Sequence, residues 1–257
     1  MATKAKEKET EISVMEVTRG KLDVLIVGNS PLIFNRMSYK VKQELLLPRA
    51  AKKNAAEKAS SLKHEPIAEF NDSIYKDFND KNDTLLVFPT TAFKQAMSHA
   101  ALDLPGASKS QIGRLTNIDG HNVNIFGLPY LLMSVIRSAD MNRTPDVRTR
   151  AIVQEWCCRI TATYTKPIIK EQAVANLLAA AGMNIGIGDY RVQKGAGSYG
   201  QFRLVSADDK DYKRIAKIGR AEQVKAMAAH EPYDDETGEL LSWFDVEAKR
   251  RGFKVAA

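Results

Sequence analysis

The 257-residue sequence predicts an α+β fold with the element order βαββαβ. Three observations predict it. Residues 147–164 alternate in polarity over a long run, the pattern of a half-buried strand. Residues 92–102 and 171–181 each gather their apolar side chains on one helical face. Short apolar runs flank both segments and end in proline, glycine or turn residues.

The elements follow in order. Residues 12–28 read as a strand with a weak point at Gly20, and Asn29, Ser30 and Pro31 form a turn. Residues 38–60 are helix-prone and rich in lysine, interrupted by Pro48, and residues 65–79 read as a short helix. Leu85, Leu86, Val87 and Phe88 make a short strand that stops at Pro89. Thr90 or Thr91 caps the helix at 92–102, whose apolar face is Phe93, Ala96, Met97 and Ala100. Residues 105–120 read as a polar loop, 121–138 as a strand, and 140–145 as a turn.

In the strand at 147–164, Ile152, Trp156, Cys158, Ile160 and Tyr164 share one face, and Glu155, Cys157, Arg159, Thr161 and Thr163 the other. The helix at 171–181 buries Ala173, Val174, Leu177, Leu178 and Ala181, with Gly182 in the place of a C′ residue. A strand at 200–205 closes the core. Residues 211–229 read as a basic helix, and a turn at 234–238 leads to a short helix at 241–251. This is the ferredoxin-like or RRM-like order, with two helices on one face of an antiparallel sheet. RRM proteins use the other face for single strands. The expected organisation is a disordered basic tail at 1–11, a core at 12–207 with a helical insertion at 35–84, and a C-terminal helical extension at 208–257.

The chain carries 38 lysines and arginines against 31 acidic residues, a formal charge of +7. That balance favours polyanionic partners. The cations cluster. Segment 36–63 has Arg36, Lys40, Lys42, Arg49, Lys52, Lys53, Lys58 and Lys63 against Glu44 and Glu57, and segment 137–150 has Arg137, Arg143, Arg148 and Arg150 against Asp140 and Asp146. No apolar run is long enough to span a bilayer, and the charged N-terminus lacks a secretory apolar region. Cys157 and Cys158 are adjacent, so on a strand they point apart and do not bond each other. Four scattered histidines and two cysteines offer no zinc spacing. A reducing cytoplasm, of a bacterial cell or a phage-infected host, fits this composition, with no cofactor and no membrane.

Residues 182–205 hold six glycines, interleaved with Tyr190, Arg191, Lys194, Tyr199 and Arg203. Glycine is used where φ is positive or where a ligand or another backbone comes close. Cations and aromatics in one loop can hold a phosphate and stack a base. A long hairpin with a solvated tip explains the same glycines, and both readings stand at this point. Gly195 to Gly200 fits G-x-G-x-x-G, but a strand follows it where a dinucleotide fold needs a helix. The kinase motifs are missing, and no GK[ST] is present. His99, beside Lys94, is the histidine nearest a chemical role, and Asp189 is better placed to pair with an arginine than to catalyse.

Two segments carry a family resemblance. Residues 85–101, with Pro89, Thr90, Thr91 and Lys94, look like the strand-proline-helix segment of the CRISPR RAMP superfamily. Gly195, Gly197, Tyr199, Gly200 and Phe202 resemble the glycine-rich loop that runs into the last RAMP strand, although Gln201 stands where those proteins usually carry arginine. The chain also resembles phage and prophage proteins that end in a GIG-acid-aromatic-Arg run. The resemblance implies a ferredoxin-like RAMP core that binds single-stranded RNA or DNA, self-associates along the strand as a homo-oligomer or filament, and does not catalyse. Under it Lys40, Lys52, Lys53, Lys94, Arg143, Arg191 and Lys194 are the expected phosphate contacts, with Tyr190 and Tyr199 for stacking. A phage structural or assembly protein and a metal-independent RAMP-type ribonuclease are the alternatives.

Overall fold

A computed structural model of the chain describes residues 14–46, 62–137, 144–194 and 197–253. The fold is mixed α/β, with sheets of four, three and two strands among those residues. In chain order the elements are β1 (Thr18–Gly28), β2 (Leu32–Ile33), α1 (Tyr39–Leu46), α2 (Pro66–Ser73), β3 (Val87–Pro89), α3 (Thr90–Ala100), α4 (Lys109–Leu115), β4 (Thr116–Ile118), β5 (Asn122–Asn124), β6 (Pro129–Arg137), β7 (Pro145–Val153), β8 (Cys157–Lys166), α5 (Glu171–Ala180), β9 (Phe202–Val205), α6 (Lys210–Ile215), α7 (Arg220–Ala229) and α8 (Asp235–Arg250).

The four-stranded sheet runs β4-β8-β1-β9, antiparallel throughout. β1 lies at its centre and continues through Gly20, where the missing side chain leaves room for the Tyr164 ring. Alternation sets the two faces. Leu22, Val24, Ile26, Ile118, Cys158, Ile160, Ala162, Tyr164, Phe202 and Leu204 turn inward into the main core. Helices α3 and α5 touch each other and this sheet, so they cover the same face. Phe202 is the centre of that layer: its ring lies 5.9 Å from Phe93 and 6.3 Å from Trp156. Trp156 is fully buried and donates from its indole N–H to the Ser30 carbonyl at 2.9 Å.

The sequence reading is corrected here in four places. The run at 147–164 is two strands, β7 and β8, separated by a bend at Gln154 and Glu155. β7 pairs with β6 from Pro129↔Val153 to Arg137↔Pro145 in the three-stranded sheet β2-β7-β6, outside the central one. The edge strand beside β8 in the central sheet is instead β4, inside the segment read as a polar loop. It has only three residues, two of them buried, too few for a period-two signal. The basic helix at 211–229 is also two helices, α6 and α7, divided at residues 216–219. Gly182 does not end α5, because the helix widens into a π turn over Ala181–Ile185 and closes at Gly186, whose φ is 72°. The 1–11 tail, Lys52, Lys53 and Arg143 lie outside the described residues.

The two cysteines do face apart. Cys158 is in the main core, and Cys157 joins Val27 and Ile215 in a smaller cluster under α6. Burial pushes the Cys157 thiol up to about 12, and Cys158 rises as well. Both are protonated, poor nucleophiles at neutral pH.

A buried amide ties the C-terminal helices to this core. Gln223 of α7 is fully buried. Its side-chain oxygen accepts the backbone N–H groups of Leu85 and Leu86 at 2.8 and 3.0 Å. Its nitrogen donates to the carbonyls of Ile125 and Gly127 at 2.8 and 3.1 Å. Four backbone groups that water cannot reach are thereby satisfied by one side chain. Gln223→Leu keeps the volume and orphans all four. Urea denaturation is expected to show a loss of at least about 3 kcal/mol, since each unsatisfied buried group costs about 1–3 kcal/mol.

Candidate nucleic-acid interface

The glycine-rich segment is built by close backbone packing. The Ile187 N–H donates to the Gly200 carbonyl at 3.0 Å, Gly200 N–H to Pro31 at 2.8 Å, and Asp189 N–H to Ile33 at 3.0 Å. A Cβ on Gly200 would collide with the Ile187 carbonyl, and one on Gly188 with the Ile33 carbonyl; both residues also have positive φ. These glycines are explained by contact with the protein's own backbone. The ligand reading of the loop therefore rests on its side chains.

Those side chains meet a second set on the β6–β7 hairpin. Strand alternation puts Tyr130, Leu132 and Ser134 on one face, opposite Ile152, Arg150 and Arg148 in the pairing register. Leu132, Ile152 and Ile33 form a small buried cluster, and Tyr130, Tyr190, Tyr199 and Tyr233 pack around it, all partly exposed. Tyr233 arrives from the C-terminal region, where Leu131 N–H donates to Glu231 O and Tyr233 N–H to Leu131 O, each at 2.8 Å. Tyr190 holds a left-handed backbone, φ 50°, uncommon for an aromatic. Tyr199 N–H donates to its carbonyl at 3.2 Å.

Cations border the tyrosines. Arg150 ion-pairs with Asp189, and burial pulls its guanidinium down to about 10, so it stays charged at neutral pH. Arg148 lies exposed two residues along. Both line a groove beside β7 and α2, which Lys40 of α1 also lines. In that groove Lys63 bonds Asp146 at 2.7 Å, and the His64 ring bridges Glu69 and Asp146 at 2.9 and 3.0 Å. Both ring nitrogens of His64 are thus engaged. The Lys63 hydrogen bond, reinforced by His64, holds the Asp146 carboxyl below its ordinary range.

The loop also faces α3. A cleft there is lined by Pro89, Thr91, Gln95, Gly186, Gly188, Arg191 and Gln193, among others, so the proline-helix segment and the glycine-rich loop stand side by side. The Arg191 guanidinium donates to the Gly188 carbonyl at 3.1 Å and the Gln193 amide oxygen at 3.0 Å, leaving three N–H groups uncommitted by these bonds. Lys194 is exposed at the tip. Lys94 is half-buried and does not line the cleft, because it is turned round the helix from Thr91 and Gln95. His99 does reach the loop, where it contacts the Gln193 amide.

Of the expected contacts, then, Tyr190, Tyr199, Arg191 and Lys194 share one region, Lys40 lies along the β7 groove, and Lys94 stands apart. Tyr130, Tyr233 and Arg150 join the tyrosine face without having been picked out as contacts. Tyr130 and Arg150 become legible once β7 and β8 are separated and the β6–β7 register is written down. No local pattern marks Tyr233.

The open face of the four-stranded sheet is different in kind. It carries Arg19, Lys21, Asp23, Asn117, Arg159, Thr161, Thr163 and Arg203, with no aromatic among them. Lys21 pairs with Asp119 at 3.4 Å and Arg159 with Asp23 at 3.2 Å, while Arg203 bonds Asp209 and Asp211 at 2.7 and 2.8 Å. None of these side chains offers a ring on which a base could stack.

No family model matches the chain, and no curated protein matches it. Among solved structures it is similar to a chain of a complex described as the cryo-EM structure of the Type III-B Cmr-beta bound to cognate target RNA. The TM-score is 0.30 and the identity 8%, over 72% of this chain and 59% of that one, a weak and partial match that spans less than two thirds of that chain's length. A likeness at this score decides neither fold nor function. Among the described residues no helix is long and apolar enough to cross a membrane, and no group of three or more His, Cys, Asp or Glu side chains is arranged to hold a metal.

His99 offers a direct probe of the loop's field. Burial lowers its pKa, and Lys109, Arg191 and Lys194 lower it further. A depressed histidine contributes stability that is full above its unfolded value near 6.5 and is lost as pH falls through the folded value, since the unfolded chain then binds the proton more readily. NMR titration is expected to place His99 below that ordinary value. Lys194→Ala is expected to bring it upward, and His230, whose pKa is lowered by burial and Lys76, is expected not to move.

Proposed function

We propose that this protein is a RAMP-like, non-catalytic binder of single-stranded nucleic acid, RNA or DNA, that self-associates along the strand. The observation that carries the reading is the cluster of four half-exposed tyrosines bordered by Arg148, Arg150, Arg191 and Lys194. Bases stack on such rings without regard to sequence, and the cations track the phosphates. The strand order β9-β1-β8-β4, with α3 and α5 on one face, agrees with a ferredoxin-like core. Pro89 and Thr91 of the proline-helix segment line one cleft with residues 185–193, which lead into the RAMP-like glycine run, and this supports the same reading. In this arrangement the strand crosses the β6–β7 hairpin and passes the glycine-rich loop. Lys40 and Arg148 then extend the track along the β7 groove, and Lys52, Lys53 and Arg143, outside the described residues, remain candidate contacts.

The test is salt-dependent binding of a labelled, unstructured oligonucleotide. Each phosphate contact contributes a slope of about −0.7 in log K against log salt. Arg148→Ala with Lys194→Ala is expected to weaken binding and to flatten the slope by about 1.4, two contacts' worth. Tyr130→Ala and Tyr199→Ala are each expected to cost about 1–3 kcal/mol of affinity while leaving the slope alone. Thermal unfolding of each variant separates lost stacking from lost packing. A flat salt response in the wild type would remove the nucleic-acid reading and favour a basic structural protein.

A further inference from the structure

Two apolar features lack a counterpart among the described residues. One is the lead-in to β1. β8 ends at Lys166, where Pro167 stops the ladder, so β1 has its last partner at Thr18. The residues before it, Val14, Met15 and Val17, are 83%, 60% and 54% exposed. The other is a groove between the β6–β7 hairpin and α8, lined by Met133, Val147, Leu240, Trp243, Phe244 and Phe253. Trp243 is 63% exposed there. Contiguous apolar surface of this kind marks an interaction site.

Charge says what fits. From Glu9 to Val17 the sequence has three glutamates, Glu16 among the residues before β1, and no cation; Lys8 and Arg19 flank the run. Beside the groove α8 ends in Lys249, Arg250 and Arg251, all exposed, and Glu247 is held by the last two at 2.7 and 2.6 Å. Glu247 is pulled to about 2 by Arg250 and Arg251, so its charge is already balanced within the helix. An acidic, apolar segment and a cation-rimmed apolar groove are complementary.

We infer that the residue 14–17 segment of one copy docks in the α8 groove of the next. The contact is head-to-tail: each copy gives a segment at one place and receives one at another, so the pairing propagates instead of closing on itself as a two-fold dimer does. A segment this short buries far less than the roughly 1,200–2,000 Å² of a stable pairwise interface. The contact is therefore weak alone and strengthens when neighbours are held side by side. The inference stands on the chain's own surfaces and is tested without nucleic acid, so its failure is separate from failure of the binding reading.

Trp156 is fully buried, which leaves Trp243 as the environment-sensitive tryptophan of the two. A synthetic peptide of residues 9–17 titrated into the full chain is expected to shift its emission to the blue and to saturate, and a Trp243→Phe variant is expected to show no shift. In sedimentation velocity the wild type is expected to gain mass with concentration, less so at high salt. The combined variant Val14→Ser, Met15→Ser, Val17→Ser and the single variant Trp243→Ala are each expected to stay monomeric, with unchanged thermal unfolding. An equimolar mixture of these two is expected to stop at a dimer, because only one intact segment and one intact groove remain per pair. The inference is overturned if the wild type stays monomeric and the peptide leaves the emission unchanged. It is overturned equally if the triple-serine variant associates like the wild type, since α8 then pairs with itself, or if the monomer's emission is already blue and insensitive to peptide, since its own chain then covers the groove.

Discussion

The arrangement of this protein depends on three stretches of backbone lying against one another: residues 31–33, 187–189 and 199–200. Hydrogen bonds join them in sequence, Gly200 to Pro31, Ile187 to Gly200 and Asp189 to Ile33. No side chain could be interposed at Gly188 or Gly200 without displacing a carbonyl. This seam links the central sheet, through β9 and the β1–β2 turn, to the three-stranded sheet of the hairpin. It also fixes Tyr190 and Tyr199 where Tyr130 and Tyr233 can meet them. The glycines act on the tyrosine face indirectly, through the close approach that they permit.

How far this could be read from sequence follows from the length of each signal. The alternation of β1 and β8 and the apolar faces of α3 and α5 extend over many residues, and these elements were legible. β4 was not, because three residues carry no period. The boundary between β7 and β8 was hidden because Trp156 keeps the alternation going while leaving the strand; it points into the core from a bend. Reading through that bend moved β6 and β7 into the central sheet and concealed the hairpin face. The loop side chains were legible as a chemically distinctive group. Their partners Tyr130 and Arg150 needed the register, and Tyr233 needed the tertiary fold. The glycines themselves were ambiguous in principle, because close approach by a ligand and by backbone demand the same residue.

Charge distribution separates the two open faces. On the central sheet several cations have an acid at hand: Asp23 for Arg159, Asp119 for Lys21, Asp209 and Asp211 for Arg203. Such exposed pairs add little stability, but they cancel most of the local field. On the hairpin side Arg150 has Asp189, while Arg148 and Lys194 stand exposed. A net charge of +7 is thus expressed unevenly, and an approaching polyanion is steered by that unevenness.

The central position of β1 has a consequence for how the chain is made. It precedes the other described strands in the chain, yet its neighbours are β8, whose residues begin at Cys157, and β9, which begins at Phe202. Contacts of such long range are slow to form because chain entropy is lost before they return any energy. On a ribosome adding roughly 5–20 residues per second, β1 waits on the order of ten seconds for its first partner. Throughout that interval Val24, Ile26 and Val27, later sealed in the core, have no sheet to join. The nascent chain is therefore most prone to aggregate in this window, and it is there that a chaperone has the most to protect.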